Sequence, residues 1–331
     1  MTVTRRTLIA ALAAAPATAA LTVMLPRGAF AAYPDRSVRL IVPFAAGGNA
    51  DIVGRLIGEI MSKAIGQPVV VENRGGAGGG LGADVVAHAD PDGYTLLVAS
   101  NGPLTVNPFV QAKLTYDPLK DFTPIGLTSL VAHALAVHPS VQAKTLQELI
   151  ALSQKEQIGV GTAGVGSATH MTLARFNAAT GAKLLHVPYR GGGALVPDLI
   201  GGSIQGAMVE FSTVLELHKD GKTRILANGS AARSELAADV PTMMEAGVKD
   251  FTAASYVGVL APAKTPAEAV AALESALVKA LTQPAVVAKF KQLGAEMASA
   301  ALMTSNGFAA FLAAEYERTR EAADLAGIKK S

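Results

Sequence analysis

The 331-residue chain contains no cysteine and no tryptophan, and aromatic residues make up only 5% of it. Without cysteine there is no disulfide framework, no thiol nucleophile, no thiolate-bound metal and no lipid-modified N-terminal cysteine. So few aromatics leave no stacking platform for single-stranded nucleic acid. Charge is sparse as well, at 16% of residues with a formal net charge of +2. No G-x-x-x-x-G-K-[ST] phosphate loop, G-x-S-x-G elbow or H-E-x-x-H pair occurs. The six histidines, at 88, 133, 138, 170, 186 and 218, are scattered, so no metal set is legible. Gly159-Val160-Gly161-Thr162-Ala163-Gly164 is a formal G-x-G-x-x-G match. The acid that would hold a ribose about 20 residues later is missing, because that stretch reads Leu184-Leu185-His186-Val187-Pro188. No catalytic residue, cofactor or metal is expected.

The first 32 residues read as a leader. Arg5 and Arg6 form a basic start, residues 8–25 carry no charge, and Ala29-Phe30-Ala31 resembles a signal cleavage site. The stretch is mostly alanine and is broken by Pro16, which argues against a membrane-spanning helix. The paired arginines also resemble a twin-arginine export signal; the route, that or the general secretory one, stays open. Of the 28 basic residues three (Arg5, Arg6, Arg27) lie in the leader, leaving 25 against 26 acidic ones. The mature chain is therefore close to neutral, with no electrostatic footprint for nucleic acid or an anionic membrane.

Beyond the leader, apolar runs alternate with helical patterns. Residues 38–43, 69–71 and 94–98 read as strands, separated by a helix carrying Val53, Leu56, Ile57, Ile60 and Met61 with Gly66 as its stop, and by one over about 81–88. This β-α-β-α-β order predicts a mainly parallel sheet covered by helices. A second series follows. Residues 135–137, 184–188, 204–209, 225–227 and 256–260 read as strands, Thr145 and Glu148 form a capping box, and helices are expected near 167–180, after Pro266 and over 304–323.

Four glycine-rich loops open helices or follow strands: 44–51, 73–80, 100–102 and 162–167. Glycine lets backbone approach a ligand closely, and a helix start offers unpaired amides at the positive end of a dipole. Such loops hold a carboxylate without a salt bridge. Each of them also suits a plain strand-to-helix turn.

Several motifs resemble, in order and across nearly the whole mature chain, those of the tripartite tricarboxylate transporter substrate-binding proteins (the Bug or TctC family). They are Tyr33-Pro34 with Val38-Arg39-Leu40-Ile41-Val42-Pro43-Phe44-Ala45-Ala46-Gly47-Gly48-Asn49-Ala50-Asp51, Gly66-Gln67-Pro68-Val69-Val70-Val71-Glu72-Asn73-Arg74, Asp90-Pro91-Asp92-Gly93-Tyr94, His186-Val187-Pro188-Tyr189-Arg190-Gly191, Asp239-Val240-Pro241-Thr242 and Leu260-Ala261-Pro262. The resemblance implies a two-lobed periplasmic α/β binding protein of the type II kind. Each lobe would be a mainly parallel sheet flanked by helices, with crossing strands between them and a ligand cleft. The expected division is 1–32 as leader, 33–132 with 256–331 as one domain, and 133–255 as the other.

The resemblance also carries over a site: Phe44, Ala46, Gly47, Gly48 and Asp51 from one lobe, Thr162, Ala163, Gly164, Ser167 and His170 from the other, and Ser100 and Asn101 at a strand end. Residues 44–51 would face 162–170 across the cleft. Asp51 equally suits a first-turn charge and Ser167 a plain cap. Two departures stand out. Ala46 replaces a proline common in the family's loop, and Val209-Glu210-Phe211-Ser212 replaces an Asp-Asn pattern. Glu210 reads either as a solvent-facing strand end or as an acceptor for a ligand ammonium or hydroxyl. The implied function is a monomeric receptor in the periplasm that captures a small carboxylate (a di- or tricarboxylate, amino acid or aromatic acid) for membrane permease subunits. The other readings are a ligand sensor for a signalling partner and a periplasmic hydrolase or isomerase, and the latter needs a catalytic constellation that no motif supplies.

Overall fold

A computed structural model describes residues 33–325 and residue 330; the expected leader lies outside the described residues. The first run is β1 (Val38–Val42), α1 (Asn49–Ile65), β2 (Val69–Asn73), α2 (Gly80–Ala87) and β3 (Thr95–Ala99). A short α3 (Asn107–Val110) leads into the 16-residue β4 (Phe122–Val137). The second run is α4 (Leu146–Leu152), β5 (Ile158–Thr162), α5 (Ala168–Thr180), β6 (Leu184–Pro188), α6 (Gly192–Ile200), β7 (Gly206–Glu210), α7 (Phe211–Lys219) and β8 (Arg224–Asn228). Then follow β9 (Ala254–Pro262), α8 (Ala267–Leu281), α9 (Pro284–Gln292), β10 (Ala295–Met297) and α10 (Ser305–Leu325).

The helix signals are met locally. Val53, Leu56, Ile57, Ile60 and Met61 of α1 are all buried, and each large apolar side chain so placed contributes about 1.5–3 kcal/mol. Gly66 ends the helix in the left-handed region at φ 73°, donating its amide to the Ser62 carbonyl. Thr145 and Glu148 form the reciprocal capping box of α4. Thr145→Ala is expected to cost about 1 kcal/mol in a denaturant titration; no change would mean that tertiary packing alone holds α4. Pro266 stands at the N-cap of α8 rather than at its first helical residue.

The strands run in the order β2-β1-β3-β9-β4-β7-β5-β6. β1 pairs with β2 and β3 in parallel, and β5 pairs with β6 and β7 in parallel. We call the part built on β1, β2 and β3 the first lobe and that built on β5, β6 and β7 the second. β4 belongs to both. Its residues Phe122 to Ala132 run antiparallel to β9, and from His133 onward its partners are β7 and β8. A separate core that includes Leu135, Leu149, Ile158, Phe176 and Phe251 lies within the second lobe.

Candidate functional site

In open parallel sheets the carboxyl ends of the strands are where ligands are met, and here those ends from both lobes meet at one junction. Residues 43–48 lead from β1 into α1 and lie against residues 190–193, which open α6. The Ala45 amide donates to the Arg190 carbonyl at 3.0 Å. A Cβ on Gly48 would stand 2.9 Å from the Gly193 nitrogen, and one on Gly193 would overlap the Ala46 carbonyl. Only bare backbone on both sides permits this approach. The start of α7 joins the contact, because the Ser212 hydroxyl donates to Asn49 Oδ1 at 3.0 Å. Three helix starts thus come together. First-turn amides lack intrahelical partners and sit at the positive end of the dipole, so the junction concentrates hydrogen-bond donors.

The β5–α5 loop meets a different part of the first lobe. Gly166 packs on the Asn107 side chain, and a Cβ on Gly78 would stand 2.5 Å from the Val165 carbonyl. Residues 44–51 therefore face 190–193 and Ser212, whereas 163–166 face Gly78 and Asn107. The pairing expected from sequence, 44–51 against 162–170, is not the one observed. Sheet order, not chain order, decides which loop lies opposite which.

Asp51 braces the first loop. Its oxygens accept from the Gly47 amide at 2.9 Å, from Asn73 at 2.9 Å and from the Arg55 guanidinium. Burial pushes its carboxyl up, but Arg55, the Gly47 amide and Asn73 together hold it below the ordinary value. On the other wall, Ser167 caps α5 by accepting the His170 amide at 3.1 Å. Thr162 Oγ1 bonds His186 Nε2 at 2.7 Å and accepts the Gly164 amide, while the Ala163 amide donates to Thr169. The rings of His170 and His186 stack with centroids 4.0 Å apart. Burial, and then the neighbouring His170, push His186 down to about 4, and burial also lowers His170. Both rings are neutral near pH 7.

Glu210, itself half-buried, ends a polar chain across the lobe crossing whose other members are buried. Ser255 of β9 donates to Glu210 Oε1 at 2.9 Å. Its only hydrogen is thereby spent, so at 2.8 Å it must accept from His133 Nε2 of β4. His133 Nδ1 then accepts from the Thr172 hydroxyl of α5 at 2.8 Å. Burial raises the Glu210 carboxyl above its ordinary value, against the opposing pull of its own amide and Ser255. The folded state therefore keeps a proton that the unfolded chain releases as pH climbs past the ordinary carboxyl range, and stability is lost through that window. Glu210→Gln is expected to raise the thermal midpoint at neutral pH, with the gain disappearing on acidification; a lower midpoint at pH 7 would contradict this.

A cavity of about 820 Å³ lies beside this chain, lined by Thr172 and Arg175 of α5, residues 229–232, and Phe311 and Arg318 of α10. Of the residues expected from sequence only Asn101 lines it. Ala46, Gly47 and Gly48 lie at the glycine junction, whereas Ala163 and Gly164 belong to the loop that meets Gly78 and Asn107.

Residues 53–324 match the family model described as tripartite tricarboxylate transporter family receptor. The chain belongs to this family. Among solved structures the receptor resembles the periplasmic binding protein BugD at 33% identity, with a TM-score of 0.86 over 90% of this chain and 100% of that one. It is similar to Rpa4515 of R. palustris, solved with adipate, at 31% identity and TM-score 0.85 over 90% and 100% of the two chains. It is also similar to MatC (Rpa3494) from Rhodopseudomonas palustris with bound malate, at 32% identity and TM-score 0.84 over 88% and 100%. These relatives are solute-binding proteins, and the receptor is of that class rather than an enzyme.

Within the receptor, Ala46 and Gly47 are exposed at the loop tip, and Gly48 and Asp51 are buried beneath it. Phe44 packs under Gly79 as part of the core. Ser100 is buried at the end of β3, and Asn101 Oδ1 accepts the Tyr256 amide at 2.9 Å. Thr162, Ala163, Gly164 and Ser167 form one buried loop with His170 half-exposed at its edge. Glu210 stands at the α6–α7 corner, within reach of Gly192. Sequence reasoning passed over His186, Gly193, Asn107 and Ser212. His186 lay inside the recognised His-Val-Pro-Tyr-Arg-Gly motif, and Gly191-Gly192-Gly193 was a fifth glycine-rich helix start; neither was read as part of the site.

Proposed function

We propose that the receptor captures a small carboxylate at the lobe junction and closes over it, for delivery to membrane permease subunits. One observation carries this reading: the starts of α1 and α6 meet backbone to backbone there, and the start of α7 joins them through the Ser212–Asn49 hydrogen bond. A carboxylate is the complement of such a surface. The ligand residues proposed are Phe44, Ala46, Gly47, Gly48 and Asp51 with Ser100 and Asn101 on one side, and Thr162, Ala163, Gly164, Ser167, His170 and Glu210 on the other. Asp51 and Ser167 act by holding their loops in shape. Adipate and malate in the related structures fit the same chemistry.

Residues 33–132 with 256–331 form one domain in this reading, and 133–255 the other. The change of β4 partners at Ala132 and His133, and the end of the β4–β9 pairing at Ala254, support those boundaries. The periplasmic relatives support an extracytoplasmic location, with residues 1–32 as the removed leader. The receptor works as a monomer. A thermal-shift screen of the mature protein against mono-, di- and tricarboxylates and amino acids tests the reading. A ligand at 100 times its dissociation constant is expected to stabilise the fold by about 2.7 kcal/mol. A hit that is chemically converted, or a screen in which no carboxylate stabilises, would overturn it.

A further inference from the structure

The cavity of about 820 Å³ lies along the β4–β9 crossing, walled by α5 of the second lobe and by α10. Helix α10 packs on the first lobe, where the rings of Phe109 and Tyr316 lie 4.8 Å apart. The volume suits a small molecule, since such pockets span roughly 300–1,000 Å³. It is separate from the glycine junction, because neither residues 44–51 nor 190–193 line it. Leu130, Phe211 and Phe311 give it apolar wall. One buried donor on its lining is unsatisfied. Asn228 is 1% exposed, its Oδ1 accepts the Ser230 amide at 3.0 Å, and its Nδ2 has no hydrogen-bond partner. The Ser230 bond fixes which end of the side-chain amide is the donor. Arg175 supplies further donors. Its guanidinium lies 4.8 Å over the Phe251 ring and donates to the Thr252 carbonyl at 3.3 Å, and no carboxylate among the described residues pairs with it. The two groups are neighbours: the Ala253 amide, next to Thr252, donates to the Gly229 carbonyl, next to Asn228, at 2.9 Å.

A buried donor with nothing to accept from it is an anomaly that calls for a partner, and a guanidinium fork matches a carboxylate. We propose that this cavity is a second ligand site, distinct from the junction, for an aryl or medium-chain organic acid. The carboxylate accepts from Asn228 Nδ2 and Arg175, and the apolar body lies against Leu130 and Phe311. The remaining charges on the lining agree with that orientation. Arg318 is paired with Glu315 at 2.7 Å and adds no net charge. Glu296 stands opposite Leu130 in the β4–β10 ladder. That is three residues along β4 from His133, or about 10 Å from the Asn228 end. An acid seated this way bridges the two lobes. The site stands on its own donors and does not depend on what the junction binds.

Three probes of one shape provide the test: 4-phenylbutyrate, its neutral amide and 4-phenylbutylamine, each titrated calorimetrically into the mature protein at pH 7.5. Spectra of methyl-labelled methionine report where each binds, because Met171 lines the cavity. The acid is expected to shift the Met171 methyl saturably. It should bind roughly 10-fold or more tightly than the amide or the amine, the range of a charge-assisted hydrogen bond. Arg175→Gln changes an exposed helix position, so it should fold as wild type does, and it is expected to weaken the acid about 10-fold while leaving the amide unchanged. Asn228→Asp keeps the oxygen that accepts from Ser230 and turns the donor into an acceptor, so it should weaken the acid as well. An amide or amine bound as tightly as the acid, or undiminished affinity in Arg175→Gln, overturns the second site. So does failure of the acid to bind. Binding of the acid that leaves the Met171 methyl unmoved places it at the junction, which overturns this site and leaves carboxylate capture standing.

Discussion

Gly193→Val is expected to weaken carboxylate binding on the order of 100-fold, while the ligand-free protein keeps its secondary structure and unfolds near the wild-type temperature. The atoms in the way belong to the opposite lobe: the Ala46 carbonyl and the Gly48 nitrogen, both closer to a Cβ at 193 than packing allows. Neither is the end of a flexible side chain that can swing aside. Overpacking of this kind costs up to about 3 kcal/mol, and about 1.4 kcal/mol corresponds to tenfold in affinity. Separating the lobes slightly relieves the clash, so the penalty falls on the closed state and not on folding within either lobe. Calorimetric titration measures the affinity, and small-angle scattering with and without ligand measures the closure. Wild type is expected to compact on binding, and Gly193→Val to remain extended. Gly48→Val meets the Gly193 backbone from the other side and should behave alike. Undiminished affinity in both variants would place ligand capture away from this contact.

Much of the lobe architecture was legible because its signals are local. The apolar runs read at 38–43 and 94–98, the α1 stripe, Gly66 and the Thr145–Glu148 box each report on a few neighbouring residues, and each matches the structure, the strands to within one residue at their ends. The first two-thirds of β4 was not legible. Pro124, Gly126, Thr128 and Ser129 break any hydrophobic period, although Thr128 and Ser129 are fully buried between β9 and its other neighbours. The helices α6 and α7 were missed for different reasons. Helix α6 opens on glycines and contains Pro197, and α7 follows β7 with no intervening turn. The site was half legible. Sequence shows which loops open helices, but Gly48 meeting Gly193, or Asn49 meeting Ser212, depends on how two lobes more than 140 residues apart in the chain are brought together. Glu210 illustrates the same limit, because only the structure places its carboxyl between Ser255 and Gly192.

His133 makes the fold sensitive to acid well above the carboxylate range. Burial, reinforced by Arg175, pushes its ring down to about 3, and it sits fully enclosed between Thr172 and Ser255. An unfolded histidine takes up a proton near pH 6.5. Below that value the unfolded chain binds a proton that the folded site refuses, so stability falls as pH falls, at up to about 1.4 kcal/mol per pH unit. Between pH 6.5 and 5 the loss approaches about 2 kcal/mol from His133, and His186 acts in the same direction. Glu210 works the opposite way, gaining stability as it protonates above the ordinary carboxyl range, and Asp51 begins to lose its braces only in the ordinary carboxyl range and below. Comparing wild type with a His133 variant isolates the histidine contribution. His133→Leu leaves Thr172 without its acceptor and Ser255 without its donor, and is expected to cost about 1–3 kcal/mol at pH 7.5. Its stability should nevertheless decline less steeply than wild type between pH 6.5 and 5, so that the two curves converge on acidification. Denaturant unfolding at closely spaced pH values reads both slopes. Parallel curves would show that the ring is protonated in the folded state, and the assigned order Thr172 to His133 to Ser255 to Glu210 would then be wrong, since a doubly protonated ring cannot accept from Thr172.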